Sequence, residues 1–442
     1  MNLVQYMPHV LQMQKDGVTF ANYFVTDSLC CPSRSSIFTG RYPHDTGIYT
    51  NSGNDGGYLA FRNRGLEKVT FATALQAGGY RTALLGKYLN GYLPKFAAEP
   101  GWSNWAVAGN GYPEYHYFLN ENGQVRYYGG TPADYLTDVV SALGARFIRE
   151  SAGTPFMIEI ATFAPHRPFT PAQRDADAFP GLRVPRTPAY NLTPDANAPR
   201  WLQALPPLGP ADMAQLDDLY RKRAQSVRAI DAMIGELQAA IAAAGQQDNT
   251  YFVFSSDNGF HMGEYRMLTG KMTAFDTDIH VPLVVTGPGV PAGRTVNEIT
   301  ENIDLCPTFE ELGGVPIGNG VDGHSLVPFL HGQSVPQWRS AALVEHHGPI
   351  GHPNDPDAPE PRGGDPPSYE AIRTATATYV EYVTGEKEYY DNTTDPNQLH
   401  NTYSSLDANV KTALHELLSG LQNCHDAAAC LASEHARSAM QK

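Results

Sequence analysis

Val18-Thr19-Phe20-Ala21-Asn22-Tyr23-Phe24-Val25 runs directly into Thr26-Asp27-Ser28-Leu29-Cys30-Cys31-Pro32-Ser33-Arg34. The first eight residues are mostly β-branched or aromatic, which predicts a strand. Pro32 suits the first turn of a helix that Ser33 to Phe38 continue, so residue 30 falls near a helix N-terminus. Free N–H groups and the helix dipole at such a point favour an anion.

The same alternation recurs along the chain. Strand-like runs cover 80–85, 155–161, 250–255 and 281–286. Helical patterns lie between them, at 70–76 before Gly78-Gly79, at 133–149 and at 211–244. In the last of these, Met213, Leu216, Leu219, Val227, Ile230, Ile234, Leu237 and Ile241 recur at spacings that give one apolar face. Apolar strands alternating with helices predict an α/β fold with a mostly parallel central sheet flanked by helices. The stretch 170–210 is Pro-rich and aperiodic, and reads as a long insertion of the kind that often lines an active site. From Gln337 the texture changes. A Pro/Gly/Asp-rich loop at 349–367 precedes alternating segments at 371–383 and 387–390, and a helix at 407–421. The expected organisation is a catalytic domain at 1–336 and a sub-domain at 337–442 with a small antiparallel sheet and a helix.

Composition narrows the function. The 442 residues are 42% apolar, enough to bury a sizeable core. Basic side chains number 31 against 46 acidic ones, a net charge of −15. Bulk electrostatics of that sign exclude general binding of nucleic acid. No apolar run reaches about eighteen residues, so no membrane span is expected. An anionic substrate must be held by a local cluster acting against the global field. That field also opposes long polyanionic chains at low salt, favouring short or end-acting recognition if the substrate is anionic.

In parallel α/β sheets ligands bind beyond the carboxyl ends of the strands. The residues that follow the predicted strands are Gly86-Lys87, Ala164-Pro165-His166, Ser256-Asp257-Asn258-Gly259 and the Cys30 segment. Singly, each has a bland reading: a solvated lysine, a structural histidine, an ordinary Asp-Asn-Gly turn. Gathered at one rim, they suit an oxyanion beside a hard, oxygen-ligated cation. Cys30-Cys31 has no second Cys/His pair at zinc spacing. Arg34 follows Cys30 by four residues, which also excludes the Cys-x5-Arg phosphatase loop.

Cys30-x-Pro32-Ser33-Arg34 with Thr39-Gly40 resembles the signature of the type I sulfatases. Gly86-Lys87-Tyr88-Leu89-Asn90, Ala164-Pro165-His166-x-Pro168, Ser256-Asp257-Asn258-Gly259 and Lys271 match further motifs of that family in order. So do Gly385-Glu386 to Tyr390-Asp391, then Asp395-Pro396 and Asn401. Gly40-Arg41-Tyr42-Pro43-His44, Gly101-Trp102, Asp134-Tyr135-Leu136-Thr137-Asp138, Asn302-Ile303-Asp304 and Trp338-Arg339-Ser340 are most similar to the N-acetylglucosamine-6-sulfatase branch.

The resemblance implies an alkaline-phosphatase-like fold and a sulfuric ester hydrolase acting on a sulfated saccharide, with 6-sulfated N-acetylglucosamine as the expected unit. It implies that Cys30 is converted to formylglycine by a formylglycine-generating enzyme. The hydrated aldehyde would be the nucleophile, held and activated by Arg34. Lys87, His166 and Lys271 would grip sulfate oxygens or assist the leaving alkoxide. Asp257 and Asn258 would ligate calcium, Asn90 would contact the sugar, and His261 either contacts the sugar or is a plain loop histidine. Cys31 is expected to be a bystander and Cys306 a core residue. Cys424 and Cys430 either pair or remain free thiols.

Two departures from the family pattern stand out. Sulfatases open with a strand ending in two aspartates, both calcium ligands, upstream of the segment that Tyr6 to Phe24 resemble. No Asp-Asp pair precedes Cys30 here, and a further N-terminal piece is the expected explanation. MNLVQYMPHVLQ lacks the basic and apolar regions of a signal peptide. That upstream piece is the expected carrier of a targeting signal, and the expected location is secreted, periplasmic or lysosome-like. The second departure is Leu89, where arylsulfatase-like members have histidine. It is shared with the N-acetylglucosamine-6-sulfatase branch and reads as specificity. The competing readings are a phosphate or phosphonate monoester hydrolase of the same superfamily and a non-catalytic binder of sulfated glycans.

Overall fold

The computed structural model describes residues 3–349, 355, 357–358 and 362–435. Its strands are β1 (Val18–Phe24), β2 (Arg81–Lys87), β3 (Asn104–Ala108), β4 (Tyr117–Glu121), β5 (Gln124–Tyr128), β6 (Phe156–Ala161) and β7 (Phe252–Ser255). They continue with β8 (His261–Met262), β9 (Thr269–Gly270), β10 (Leu283–Thr286), β11 (Arg294–Glu301), β12 (Ala341–His346), β13 (Tyr369–Thr374), β14 (Ala377–Tyr382) and β15 (Lys387–Asp391).

The α/β class is as expected, and the pairing within it is mixed. One sheet has the order β5-β4-β3-β2-β6, with β2 parallel to β3 and β6 and the outer hairpin antiparallel. A second has the order β11-β1-β10-β7, with β1 parallel to β11 and antiparallel to β10. Among the described residues β6 pairs only with β2 and β7 only with β10. Both of those apolar strands are half-buried, whereas six of the seven residues of β2 are buried. Their side chains converge on one core. Phe156, Ile158 and Ile160 of β6 meet Phe252 and Phe254 of β7 over Val10, Met13, Val227, Ile230 and Ile234.

Helix Leu136–Glu150 covers that core together with a pair of helices, Pro8–Asp16 and the long Pro210–Ala243. The buried carboxylate of Asp231 joins them. It accepts from the backbone N–H of His9 at 2.8 Å and lies 2.8 Å from the His9 imidazole, supplying the cap that Met7 cannot. On the other side, Phe38, Tyr58, Phe61, Phe71, Tyr88, Trp102 and Trp105 form an aromatic cluster between helix Cys30–Thr39 and strands β2 and β3. The insertion at 170–210 is irregular as expected, but it packs against the β8–β9 hairpin, where Asn191 N–H meets the Gly263 carbonyl at 2.7 Å. None of the described hydrogen bonds of that insertion reaches Cys30.

The third sheet, β12-β13-β14-β15, is fully antiparallel. Leu343, Ile372 and Tyr379 pack against Leu418 and Leu421 of helix Ala408–Gln422, and Cys424 and Cys430 are joined by a disulfide. The sheet is tied back to the core at Glu345, whose N–H donates to the Thr26 carbonyl at 2.8 Å. Its carboxylate lies 2.9 Å from His44 Nδ1, while His44 Nε2 faces the Cys424 carbonyl at 2.8 Å. Two acceptors on one ring call for imidazolium. Burial opposes the charge, but Glu345 and the Cys424 carbonyl outweigh it and raise the pKa to about 9.

Two predictions test these joints. Gly86 sits at φ +97° opposite Ala161, where a Cβ would lie 2.1 Å from the Ala161 carbonyl oxygen. Gly86→Ala should therefore destabilise by about 3 kcal/mol or more, read as a lower urea midpoint. A folded pKa raised above the unfolded value gives a contribution that is complete below the unfolded pKa of 6.5 and lost as pH rises through about 9. His44→Gln should cost on the order of 2 kcal/mol near pH 6, and the gap to wild type should narrow towards pH 10 in thermal melts.

Candidate active site

Cys30 is the first residue of helix Cys30–Thr39, after Leu29 in extended backbone, and is 2% exposed. Nine of the ten helix residues are buried, including Ser33, Arg34, Ser35 and Ser36. A buried polar helix needs partners, and strand ends supply them. Ser33 Oγ donates to the Asp257 carbonyl at 2.5 Å, just beyond β7. Asn302 Nδ2 donates to Ser33 Oγ at 2.9 Å, and Asn302 Oδ1 accepts from Thr26 N–H. Arg34 Nε donates to the Tyr88 carbonyl at 2.8 Å. Its Nη2 reaches the Lys87 carbonyl at 3.0 Å and Glu159 Oε1 at 2.9 Å. None of the described hydrogen bonds joins Arg34 to Cys30. Its bonds brace the backbone that carries Lys87.

Around the Cys30 sulfur the expected residues converge. Lys271 Nζ is 2.9 Å from Sγ, and Asn258 Oδ1 is 3.5 Å from it. Lys87 lies at the end of β2, buried beneath the Tyr112 ring at 5.4 Å, close enough for Cys30 to shift its pKa. His166 turns Nδ1 to the Arg167 carbonyl at 2.9 Å and Nε2 into the pocket. Asn90 sits beside it, with Nδ2 3.5 Å from the Tyr112 hydroxyl. Cys31 and Cys306 are buried in the aromatic cluster, as expected.

His261 departs from expectation. It is completely buried, with Nδ1 2.9 Å from Asp278 Oδ2 and Nε2 2.9 Å from the Gly363 carbonyl. Both nitrogens are engaged inside the protein, so the ring is not presented to a sugar. A histidine after Asp-Asn-Gly looks the same in sequence whether it faces the pocket or Asp278.

Electrostatics set the protonation states. Burial, with Asp357 adding to it, pushes the Cys30 thiol up to about 11. Burial pulls on Lys87 and Lys271, but Cys30 and Asp357 outweigh it and both remain above the ordinary lysine value. Burial, together with the two lysines, holds His166 below its ordinary value against the pull of Asp357. At neutral pH the site therefore holds a protonated thiol and two ammonium groups.

Four residues here were not singled out from sequence. Asn51 accepts from Cys31 N–H at 2.9 Å. Tyr112 roofs Lys87 and His166. Asp357 accepts from Asn51 and Asn90 through Oδ2, and contacts Lys271 and His166 through Oδ1. Glu159 pairs with Arg34 and leaves Oε2 buried without a partner among the described residues. Only Glu159 carried a signal, a lone carboxylate within Phe156-Met157-Ile158-Glu159-Ile160-Ala161.

The donor set for a cation is oxygen-based. Asp257 makes no side-chain hydrogen bond among the described residues, Asn258 turns Oδ1 toward Cys30, and Glu159 Oε2 is free. That chemistry fits one side of a calcium ion, which takes six to eight oxygens.

Comparison with known proteins agrees with this geometry. The Sulfatase family pattern matches residues 2–315, and the N-sulphoglucosamine sulphohydrolase C-terminal pattern matches residues 263–424. The chain is 33% identical over 438 residues to the N-acetylglucosamine-6-sulfatase of Homo sapiens, covering 92% of this chain and 79% of that protein. It is 33% identical over 354 residues to an extracellular sulfatase SULF-1 homolog of Drosophila melanogaster, covering 78% of this chain and 32% of that protein. Among solved structures, one described in complex with its substrate D-glucosamine-2-N,6-O-disulfate superposes with a TM-score of 0.76 at 22% identity, covering 94% of this chain and 92% of that one. The phosphonate monoester hydrolase of Agrobacterium radiobacter superposes at 0.68 and 22% identity, covering 92% and 88%. At those identities the structures speak for the fold alone. A family pattern over 71% of the chain, and a third of its residues shared with a curated sulfatase along nearly its whole length, place this protein in the sulfatase family.

Proposed function

We propose that this sulfatase removes the 6-sulfate of an N-acetylglucosamine unit in a sulfated glycan, with residue 30 acting as formylglycine. The observation that carries the reading is the setting of Cys30. It heads a buried helix, faces Lys271, Lys87 and Asn258, and has a thiol held protonated to about pH 11. A thiol in that state is a weak nucleophile at neutral pH. Formylglycine at this position, once hydrated, supplies a hydroxyl nucleophile in its place.

The chain's own residues supply the rest. Lys87 and Lys271 are fixed ammonium groups that meet charge on the nonbridging sulfate oxygens. His166 Nε2 lies beside Asp357 in the same pocket, and because Nδ1 already faces the Arg167 carbonyl, it would hand a proton to the departing alkoxide only from the imidazolium form. Arg34 keeps the Lys87 backbone in register with the helix N-terminus. Asp257 and Asn258 would hold calcium, which supplies positive charge beside the reacting group. Asn90, whose Nδ2 lies 3.5 Å from the Tyr112 hydroxyl, would contact the sugar. The 33% identity to N-acetylglucosamine-6-sulfatase supports the substrate, and the Cys424–Cys430 disulfide supports an oxidising compartment outside the cytoplasm. Among the described residues, no helix is long and apolar enough to cross a membrane.

Protein co-produced with a formylglycine-generating enzyme should show residue 30 converted in tryptic mass spectra. It should release sulfate from N-acetylglucosamine 6-sulfate faster than it cleaves aryl phosphate or phosphonate esters. Active protein with residue 30 wholly unmodified would refute the nucleophile, and faster phosphonate turnover would refute the substrate class. Lys271→Ala and Lys87→Ala should each lower kcat/KM by about a hundred-fold or more, mainly through kcat.

A further inference from the structure

We infer that Asp357 is an internal occupant of the sulfate pocket, a carboxylate that the substrate's sulfate must displace. This rests on the sulfate-pocket reading above. Asp357 is 7% exposed and its side chain 1% exposed, so it is one of the most enclosed carboxylates near the site. Its Oδ1 lies 2.7 Å from Lys271 Nζ and 2.5 Å from His166 Nε2. Its Oδ2 accepts from Asn51 Nδ2 at 2.7 Å and from Asn90 Nδ2 at 3.2 Å. Lys271, Asn51 and Asn90 donate to the ionised carboxylate, and His166 Nε2 is the fourth donor when its ring is protonated. Burial works against that charge, but Lys271 and His166 overwhelm it and hold the carboxyl well below its usual range.

Two of those donors, Lys271 and His166, are groups that a sulfate monoester would need. Lys87 adds its charge from beneath Tyr112. A carboxylate and a sulfate are both delocalised oxyanions, and one set of donors cannot serve two at once. The alternative, that Cys30, His166 and Asp357 form a metal triad because their ligand atoms lie within 4.8 Å of one another, fails on charge. The Lys271 ammonium stands 2.9 Å from Cys30 Sγ and 2.7 Å from Asp357 Oδ1, in the space a cation would take. Asp357 belongs to the Pro/Gly/Asp-rich stretch at 349–367, outside every helix and strand. Among the described residues it makes no ladder hydrogen bond; its N–H donates to Asp355 Oδ1 at 2.9 Å, and its carboxylate has the four side-chain contacts for substrate to replace.

The test uses the full chain, with inorganic sulfate as the probe in titration calorimetry. Asp357→Asn keeps the shape and removes the charge, and Asp357→Ala removes both, so one remains informative if the other fails to fold. Either should bind sulfate at least ten-fold more tightly than wild type, and with formylglycine installed should show a lower KM and a higher kcat/KM for the sulfate ester. Sulfate binding no tighter than wild type in a folded variant, or a fall in kcat/KM, overturns the inference and makes Asp357 a substrate-positioning or structural group. If no form binds sulfate or hydrolyses the ester, the sulfate-pocket reading falls too. Hydrolysis and sulfate binding by wild type equal to that of the variants leave that reading standing and remove this inference alone.

Discussion

The guanidinium of Arg34 is almost wholly out of water, and much of the site's geometry depends on how it is satisfied. A buried cation needs several acceptors and a counter-ion, and no single element can provide them all. The Lys87 and Tyr88 carbonyls come from the end of β2, and the carboxylate comes from Glu159 in β6. Ser33, one residue earlier, binds the Asp257 carbonyl beyond β7, and Asn302 closes the ring from the turn after β11. Four strand ends are thereby set against one helix N-terminus. Because these groups are polar and desolvated, moving any strand end leaves an unpaired group in a low-dielectric interior.

That arrangement explains how a chain of net charge −15 can hold an anion. The long-range field is screened beyond about a Debye length, while charges a few ångströms apart in a buried pocket are not. Lys87, Lys271 and Arg34 face Glu159, Asp257 and Asp357 within one cluster. The formal charges nearly cancel, so the pocket is stable in the absence of substrate. The same balance keeps the Cys30 thiol protonated, because burial outweighs the neighbouring ammonium groups.

The two main sheets share a core rather than a ladder. β6 and β7 each carry one row of backbone groups without a strand partner among the described residues, yet their side chains meet beneath helices Pro8–Asp16 and Pro210–Ala243. Apolar contact is non-directional, so it can join sheets that hydrogen bonds do not. Those strands are half-buried with one strand neighbour each among the described residues, whereas β2, with two, is buried.

Much of this was legible in the sequence. The strands at 18–24, 156–161 and 252–255 and the helices at 136–150, 210–243 and 408–422 lie within a few residues of their patterns, because hydrophobic periodicity is a local property. The convergence of Cys30, Lys87, His166 and Asn258 followed from motifs at strand ends, where an α/β sheet gathers its ligands, and that of Lys271 from the family resemblance alone. The antiparallel pairings, the hairpin β4–β5 and the pairing of Cys424 with Cys430 were not legible, since strand direction and thiol proximity depend on where distant segments pack. Side-chain orientation was hidden for the same reason. His261 follows a site motif yet turns inward to Asp278, and Asp357, in a stretch with no motif, reaches the centre of the pocket. Sequence by itself determined which elements form and which chemistry they carry. Only the tertiary structure decided which donors face one another across hundreds of residues, because that choice is made by burial and by the need to satisfy every desolvated polar group.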